Sequence, residues 1–133
     1  MLFHGAMSGV LDWKPHIEKM QFPVPVRVVA VQAPMTHSFS FRGKDKDMAT
    51  NWCDIKTLGW KKAETYGDIW AAFDDQEGLM KNIEIVKELI EKERQILPDN
   101  DDRRIFLHGF SMGSIMVHAI NLYTDYNFAG IIA

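Results

Sequence analysis

Residues 104–122 constrain the fold of this chain more than any other segment. Residues 105–107 are an apolar run, Ile-Phe-Leu, which is typical of a short buried strand, and residues 109–113 read Gly-Phe-Ser-Met-Gly, which fits the pattern Gly-x-Ser-x-Gly. The apolar residues between Ile115 and Leu122 then predict a helix. A strand, a tight turn with a central serine and a helix together predict a nucleophile elbow at Ser111.

The two glycines of this pattern have a steric reason. The serine of such an elbow sits on a strained turn, so the residues two before and two after it, Gly109 and Gly113, must be small or they would collide. The serine oxygen then stands clear of the sheet, above a helix N-terminus whose free amides can stabilise developing negative charge. The alternative is a glycine-rich turn in which Ser111 only caps the following helix.

Length, charge and cysteine content limit the class of protein. The 133 residues suit one domain, 1–133, with a sizeable core, and the net charge of −3 gives no basic footprint for nucleic acid. The single cysteine, Cys53, excludes an internal disulfide framework and suits a reducing compartment, so we expect a cytoplasmic protein. No apolar run approaches the roughly 18 residues of a membrane span, so we expect no transmembrane segment.

Strand-like and helix-like segments alternate along the chain. Short strands are predicted at residues 2–3, 26–31, 104–107 and 128–132, with helices at residues 10–20, 75–96 and 115–122. The β-branched run at 26–31 predicts a strand buried on both faces. This alternation predicts an α/β fold, a mostly parallel sheet covered on both faces by helices.

Residues 35–73 lack a clear period and predict a long loop. Their aromatic content argues against disorder, because disordered segments are poor in aromatic residues. Loops of this length inside a compact domain usually have a function. The segment is predicted to cover the sheet, and either a shield over the core or the lining of an apolar pocket fits its composition.

Five segments resemble the acyl-protein thioesterase / lysophospholipase–carboxylesterase branch of the α/β-hydrolases. Residues 3–9 read Phe-His-Gly-Ala-Met-Ser-Gly, similar to the first-strand motif of that family, and 105–113 resemble its elbow. The other three are Gln-Ala-Pro at 32–34, Asn-Trp-Cys-Asp-Ile at 51–55 and Phe-Ala-Gly-Ile-Ile at 128–132. The resemblance covers nearly the whole chain and implies an α/β-hydrolase-like sheet.

The resemblance also implies roles for individual residues. Ser111 would be the nucleophile, and the backbone amides of Met112 and Ala6 would form the oxyanion hole. The family usually has Gln where Met112 stands, but only the amide is needed. The residues implied to shape the loop or contact substrate are His4, Gly5 and Trp52. The family hydrolyses acyl esters and thioesters, including those of S-acylated proteins and lysophospholipids, without cofactor or metal, which implies a serine esterase of lipid metabolism.

The acid and the base of a triad are not evident. In the family they follow the serine in the order Asp, then His. The twenty-two residues after Ser111, 112–133, contain one aspartate, Asp125, and one histidine, His118. His118 lies about 10 Å from Ser111 along the helix axis, at a rise of roughly 1.5 Å per residue. His108 is expected to pack beside the turn. His4 is expected to be structural, but it should lie at the same sheet edge as Ser111 and is therefore the one alternative for a replacement base. The remaining histidines, for which no route to the serine is evident, are His16 and His37.

These gaps predict a hydrolase domain truncated at both ends, with its last strands missing. The strand at 128–132 would then have an open apolar edge, which a partner chain or a second copy could cover. Two functions therefore remain open. One is serine hydrolysis of acyl esters or thioesters, and the other is a catalytically inactive, hydrolase-like subunit that acts in structure or binding.

Overall fold

The computed structural model describes residues 1–39, 46–54 and 75–133, with the side chains of these ranges except those of 36–39 and 46–49. Its strands are β1 Leu2–Phe3, β2 Ala30–Val31, β3 Met35–Phe39, β4 Lys46–Thr50, β5 Phe106–Gly109 and β6 Gly130–Ile132. Its α-helices are α1 Val10–Ile17, α2 Gln76–Arg94 and α3 Met112–Tyr123, and two short 3-10 turns, Pro98–Asn100 and Asp102–Arg104, lead from α2 into β5.

Four strands form one parallel sheet in the order β2-β1-β5-β6. β1 lies in the interior, and its Leu2 is paired with Ala30 on one side and His108 on the other. The strands predicted at the start of the chain, before the elbow and near residue 130 are all present. The predicted α/β class with a parallel sheet is therefore confirmed.

Helices cover both faces of this sheet. Side chains alternate along β5, so Leu107 and His108 point to opposite faces. On one face α3 approaches β5 closely at Gly109. On the other, Trp13 of α1 meets the His108 ring edge-to-face, with 5.3 Å between ring centroids. This arrangement confirms the prediction of helices on both sides.

The long helix α2 belongs to the same core as α3. Its start is fixed by Asp75, whose carboxylate accepts the Gly78 N–H at 3.1 Å. Ile83, Val86 and Ile90 recur at helical spacing and are fully buried. The amphipathic pattern therefore predicted both the helix and its buried face.

The strand predicted at 26–31 was wrong in length and burial. Only Ala30 and Val31 pair, because their single neighbour, β1, is two residues long. Pro23 and Pro25 precede the segment and lack an N–H for a ladder. β2 is an edge strand of the described sheet, and Val26 is 50% exposed rather than buried on both faces.

The prediction of a continuous loop at 35–73 was wrong in its first part. β3 and β4 form a two-stranded antiparallel sheet in which Met35 pairs with Thr50 and Phe39 with Lys46. Residues 55–74, which hold most of the aromatic side chains, lie outside the described residues, so a cover there stays a prediction. Among the helices of the described ranges, none is both long and apolar enough for a bilayer.

Candidate active site

A sharp turn joins β5 to α3 at Ser111. β5 ends at Gly109 and α3 begins at Met112, so only Phe110 and Ser111 connect them. Ser111 has φ 54° and ψ −117°, a combination that costs a non-glycine residue strain energy. The Phe110 N–H donates to the Phe3 carbonyl at 3.0 Å, which ties the turn to β1. The strand, strained turn and helix predicted from the sequence are confirmed.

The two glycines of the turn are required by contacts between backbone segments. A Cβ at Gly109 would lie 2.3 Å from the carbonyl oxygen of Gly113, and a Cβ at Gly113 would lie 2.2 Å from that of Phe3. Backbone atoms cannot move aside as a flexible side chain can. The steric reason predicted for the Gly-x-Ser-x-Gly pattern is therefore confirmed at both positions.

The hydroxyl of Ser111 is not used to cap the helix. Ser111 is exposed, and its side chain makes no capping hydrogen bond to α3. The first turn of α3 also has no acidic side chain, so nothing on the helix itself offsets the partial positive charge of its N-terminus. The alternative in which Ser111 is only a helix cap was therefore wrong.

Two backbone N–H groups beside the turn have no acceptor among the described residues. One belongs to Met112, the first residue of α3, and the other to Ala6 in the loop after β1. Gly5, next to Ala6, packs against the serine, since a Cβ there would lie 3.3 Å from that of Ser111. The residues predicted to form an oxyanion hole thus flank Ser111, while their role as amide donors stays a prediction.

His4 holds this loop from inside the protein. It is 1% exposed, its Nδ1 lies 2.7 Å from the Gly5 carbonyl, and its Nε2 accepts the Ala33 N–H at 3.0 Å. An Nε2 that accepts this bond must be unprotonated, so the ring is the Nδ1–H tautomer and donates to Gly5. With both nitrogens engaged, His4 supports the loop and has no lone pair free for Ser111.

Trp52 supports the same loop. Its indole Nε1–H donates to the His4 carbonyl at 2.8 Å, and its ring packs against Phe3 and His4 at centroid distances of 5.3 Å. The residue is 1% exposed. Trp52 therefore faces the core. It supports the loop from below and does not contribute a surface that a substrate could contact.

Sequence reasoning missed two residues that hold the outer half of the loop. The Met7 N–H donates both to the Thr50 carbonyl at 3.0 Å and to Asn51 Oδ1 at 3.1 Å, and the Thr50 hydroxyl donates to the Ser8 carbonyl. Asn51 is fully buried, and its segment was singled out only for its resemblance. A polar residue directly before a buried Trp was the one available signal.

Replacing His4 with phenylalanine tests its positioning role. The His4→Phe ring can still pack on Trp52, but the buried Ala33 N–H loses its acceptor. We expect a loss of about 1–3 kcal/mol in the free energy of unfolding, measured by urea denaturation. Replacement of the exposed His118 by phenylalanine is the matched control, and an equal loss in both variants would contradict the assigned contacts.

The other histidine side chains that the structure describes do not form an acid–base pair. His108 is half-buried, and desolvation, followed by the charge of the Met1 ammonium, lowers the pKa of its imidazole. His16 and His118 are exposed, and His37 has its side chain outside the described set. Among the histidines whose side chains the structure describes, none is hydrogen-bonded to a carboxylate, so those side chains form no assembled triad.

No metal centre is formed within the described ranges. Groups of three His, Cys, Asp or Glu side chains placed to bind one ion do not occur there. Cys53 is buried, and desolvation, with the charges of Asp75 and Asp54, raises the pKa of its thiol to about 11.

Comparison with known proteins agrees with this geometry. Residues 47–133, well over half of the chain, match the model of the phospholipase/carboxylesterase family. A crystal structure of a single-residue variant of SOBER1 from Arabidopsis thaliana superimposes with a TM-score of 0.75 at 16% sequence identity, over 98% of this chain and 57% of that chain. This chain thus spans little more than half the length of SOBER1. Curated protein sequences gave no significant match. The parallel sheet and its elbow are those of an α/β-hydrolase fold, and the chain belongs to the phospholipase/carboxylesterase family.

Proposed function

We propose that this chain carries the nucleophile and oxyanion hole of a serine hydrolase that acts on acyl esters or thioesters. The observation that supports the proposal most strongly is Ser111 itself. Its backbone has φ 54° between two glycines at which a Cβ would collide with backbone atoms, and the residue is exposed and makes no capping bond. A strained, exposed serine at the start of a helix is difficult to explain by stability alone, because strain of this kind persists mostly at functional sites.

In the proposed reaction the Ser111 Oγ attacks the acyl carbonyl carbon. The carbonyl oxygen becomes an oxyanion and accepts hydrogen bonds from the N–H groups of Ala6 and Met112, each of which contributes on the order of 10²–10³ in rate in comparable sites. Collapse of the tetrahedral intermediate expels the alcohol or thiol and leaves an acyl group on Ser111. Water then releases the acid. No cofactor or metal takes part in this scheme.

The described residues do not supply an assembled general base for this scheme. His4 has both ring nitrogens engaged, and no other described histidine is oriented by a carboxylate. Proton removal would then fall to water, so both chemical steps would be slow and hydrolysis of the acyl-serine slowest of all. The proposed substrates are S-acylated proteins or lysophospholipids in the cytoplasm, as the family resemblance implies.

A fluorophosphonate probe tests whether Ser111 is nucleophilic. We expect the probe to label the unmodified chain covalently and to leave the Ser111→Ala variant unlabelled. Ser114→Ala is the matched control: this serine is three residues away, and its hydroxyl is already bonded to the Gly109 carbonyl at 2.9 Å. Labelling that persists in Ser111→Ala, or no labelling of the unmodified chain, would contradict the proposal for these 133 residues.

The second candidate is a hydrolase-like module that binds a partner without catalysis. It is favoured by β6, which lies at an edge of the described sheet with Ile132 58% exposed. Unpaired edge strands recruit further strands, from a partner chain or a second copy. A monodisperse monomer that hydrolyses esters in a Ser111-dependent way would eliminate this candidate.

A further inference from the structure

The loop after β1 has a strained backbone at Met7. This residue has φ 56°, in the left-handed region that costs a non-glycine residue energy. Its side chain is 43% exposed, so burial of the methionine does not explain the conformation. Strain of this kind persists where the surrounding contacts over-determine the backbone. The contacts that do so here run from the Met7 N–H to Asn51 and Thr50.

Asn51 is held rigidly as an acceptor for Met7. It is fully buried, and its own N–H donates to the Pro34 carbonyl at 3.1 Å, which anchors it beyond the end of β2. Its Oδ1 accepts the Met7 N–H at 3.1 Å, and the Thr50 carbonyl accepts the same N–H at 3.0 Å. The Nδ2 atom of Asn51 is buried without a hydrogen-bond partner among the described residues. Within the described ranges, the oxygen is therefore the part of this side-chain amide that has an assigned contact.

Hydrogen bonds fix the peptide groups on both sides of Ala6. The Gly5 carbonyl accepts from Nδ1 of the buried His4 ring, so the Gly5–Ala6 peptide turns its oxygen towards the interior. Because this peptide is trans and planar, the Ala6 N–H points the opposite way, out of the core. The Ala6–Met7 peptide is fixed in turn by the two acceptors of the Met7 N–H. Only the φ and ψ angles of Ala6 lie between these two held planes, so the Ala6 N–H cannot swing freely.

We infer that Asn51 is a positioning residue of the proposed reaction: through the Met7 N–H, its side-chain oxygen keeps the Ala6 N–H directed at the oxyanion. This role rests on the proposed function, which assigns the Ala6 amide to that oxyanion. Gly5, which precedes Ala6, lies against the nucleophile, with an added Cβ 3.3 Å from the Cβ of Ser111. An oxyanion donor is effective when it already points to where charge develops, so a loosened loop slows the chemical step more than it weakens binding.

The burst of p-nitrophenol from p-nitrophenyl octanoate separates these two effects in the full chain. Asn51→Leu keeps the size of the side chain and removes its acceptor. We expect the saturating rate constant of the burst to fall roughly tenfold or more, towards the factor of about 10²–10³ for a donor removed outright, while the half-saturating ester concentration stays within about threefold. Asn51→Asp keeps an acceptor oxygen in either protonation state and loses only the unpaired Nδ2, so it should restore the rate constant to within about threefold.

Asn82→Leu is the matched control for a purely structural effect. Asn82 is 5% exposed, and its Nδ2 donates to the Trp52 carbonyl at 2.8 Å, so this variant also loses a buried hydrogen bond to the segment that contains Asn51. We expect a similar fall in the urea midpoint but a burst rate constant within about twofold of the unmodified chain. Equal slowing in the two leucine variants, or a folded Asn51→Asp that stays as slow as Asn51→Leu, would overturn the positioning role.

Amide hydrogen exchange followed by NMR tests the same role without turnover, in the full Ser111→Ala chain. With Asn51→Leu, or with Asn51→Ala if the leucine variant does not fold, we expect the Met7 N–H to exchange roughly tenfold faster or more and the Ala6 resonance to shift. Asn82→Leu should leave both signals unchanged. Unaltered Met7 exchange and an unmoved Ala6 signal would overturn the inference whatever the kinetics show. Absence of any burst from the unmodified chain would instead contradict the proposed function, and the exchange rates would still decide whether Asn51 holds the loop.

Discussion

Replacing Gly113 with alanine is expected to lower the free energy of unfolding by about 3 kcal/mol or more. Helix propensity alone predicts the opposite, since alanine in a helix is favoured over glycine by about 1 kcal/mol. Here the added Cβ would lie 2.2 Å from the Phe3 carbonyl oxygen and 2.8 Å from that of His4. Both atoms belong to β1 and the loop after it, so the methyl group fits only if α3 moves off the sheet. Urea denaturation followed by circular dichroism measures the loss.

Gly130→Ala is the matched control for this variant. Its Cβ would also be too close to a neighbour, at 2.9 Å from Cε1 of Phe106. That neighbour is the end of a side chain that is 58% exposed and can rotate away. We expect a loss below about 1 kcal/mol, typical of a surface substitution with room to adjust. Equal losses in Gly113→Ala and Gly130→Ala would contradict the account of the elbow.

Local chemistry made the elbow predictable from the sequence. The spacing of Gly109 and Gly113 around Ser111 has one steric explanation, and each glycine meets backbone in the structure as that explanation requires. The helix α2 was predictable for a similar reason, because its buried residues recur with the period of a helix. Features determined within a few residues of sequence can be inferred from those residues.

Features determined by distant neighbours could not be inferred. The burial of residues 26–31 depends on how many residues of β1 are available to pair with them, which the run itself does not encode. The antiparallel pairing of β3 with β4 could not be predicted, because neither strand shows a regular alternation of polar and apolar residues. The placement of Trp52 was missed because an aromatic residue in a polar segment fits a pocket or a core equally well.

The residues of the candidate site also divide into those that local sequence predicts and those that depend on distant neighbours. Ser111, Met112 and Ala6 could be named because the motif and the resemblance place them. The residues that hold them could not, since the bonds from Met7 to Thr50 and to Asn51 span more than forty positions. His4 was expected to be structural, and both of its ring nitrogens are engaged in hydrogen bonds inside the protein.

An activated ester should trap the proposed intermediate. With p-nitrophenyl octanoate, whose leaving group needs no protonation, Ser111 is expected to become acylated even without a paired base. The oxyanion hole and binding alone supply about 10³–10⁴-fold acceleration over water in serine hydrolases stripped of a triad member. Because no described base assists the second step, the acyl-serine should persist, and p-nitrophenol should appear as a burst of about one equivalent per chain.

Intact-mass analysis after this reaction, with peptide mapping, tests the central claim most directly. We expect one octanoyl group per chain, on the peptide that contains Ser111, and no such adduct in Ser111→Ala, while Ser114→Ala behaves as the unmodified chain does. An octanoyl group carried by a lysine, or ester cleavage that continues undiminished in Ser111→Ala, would contradict the assignment of Ser111 as the nucleophile.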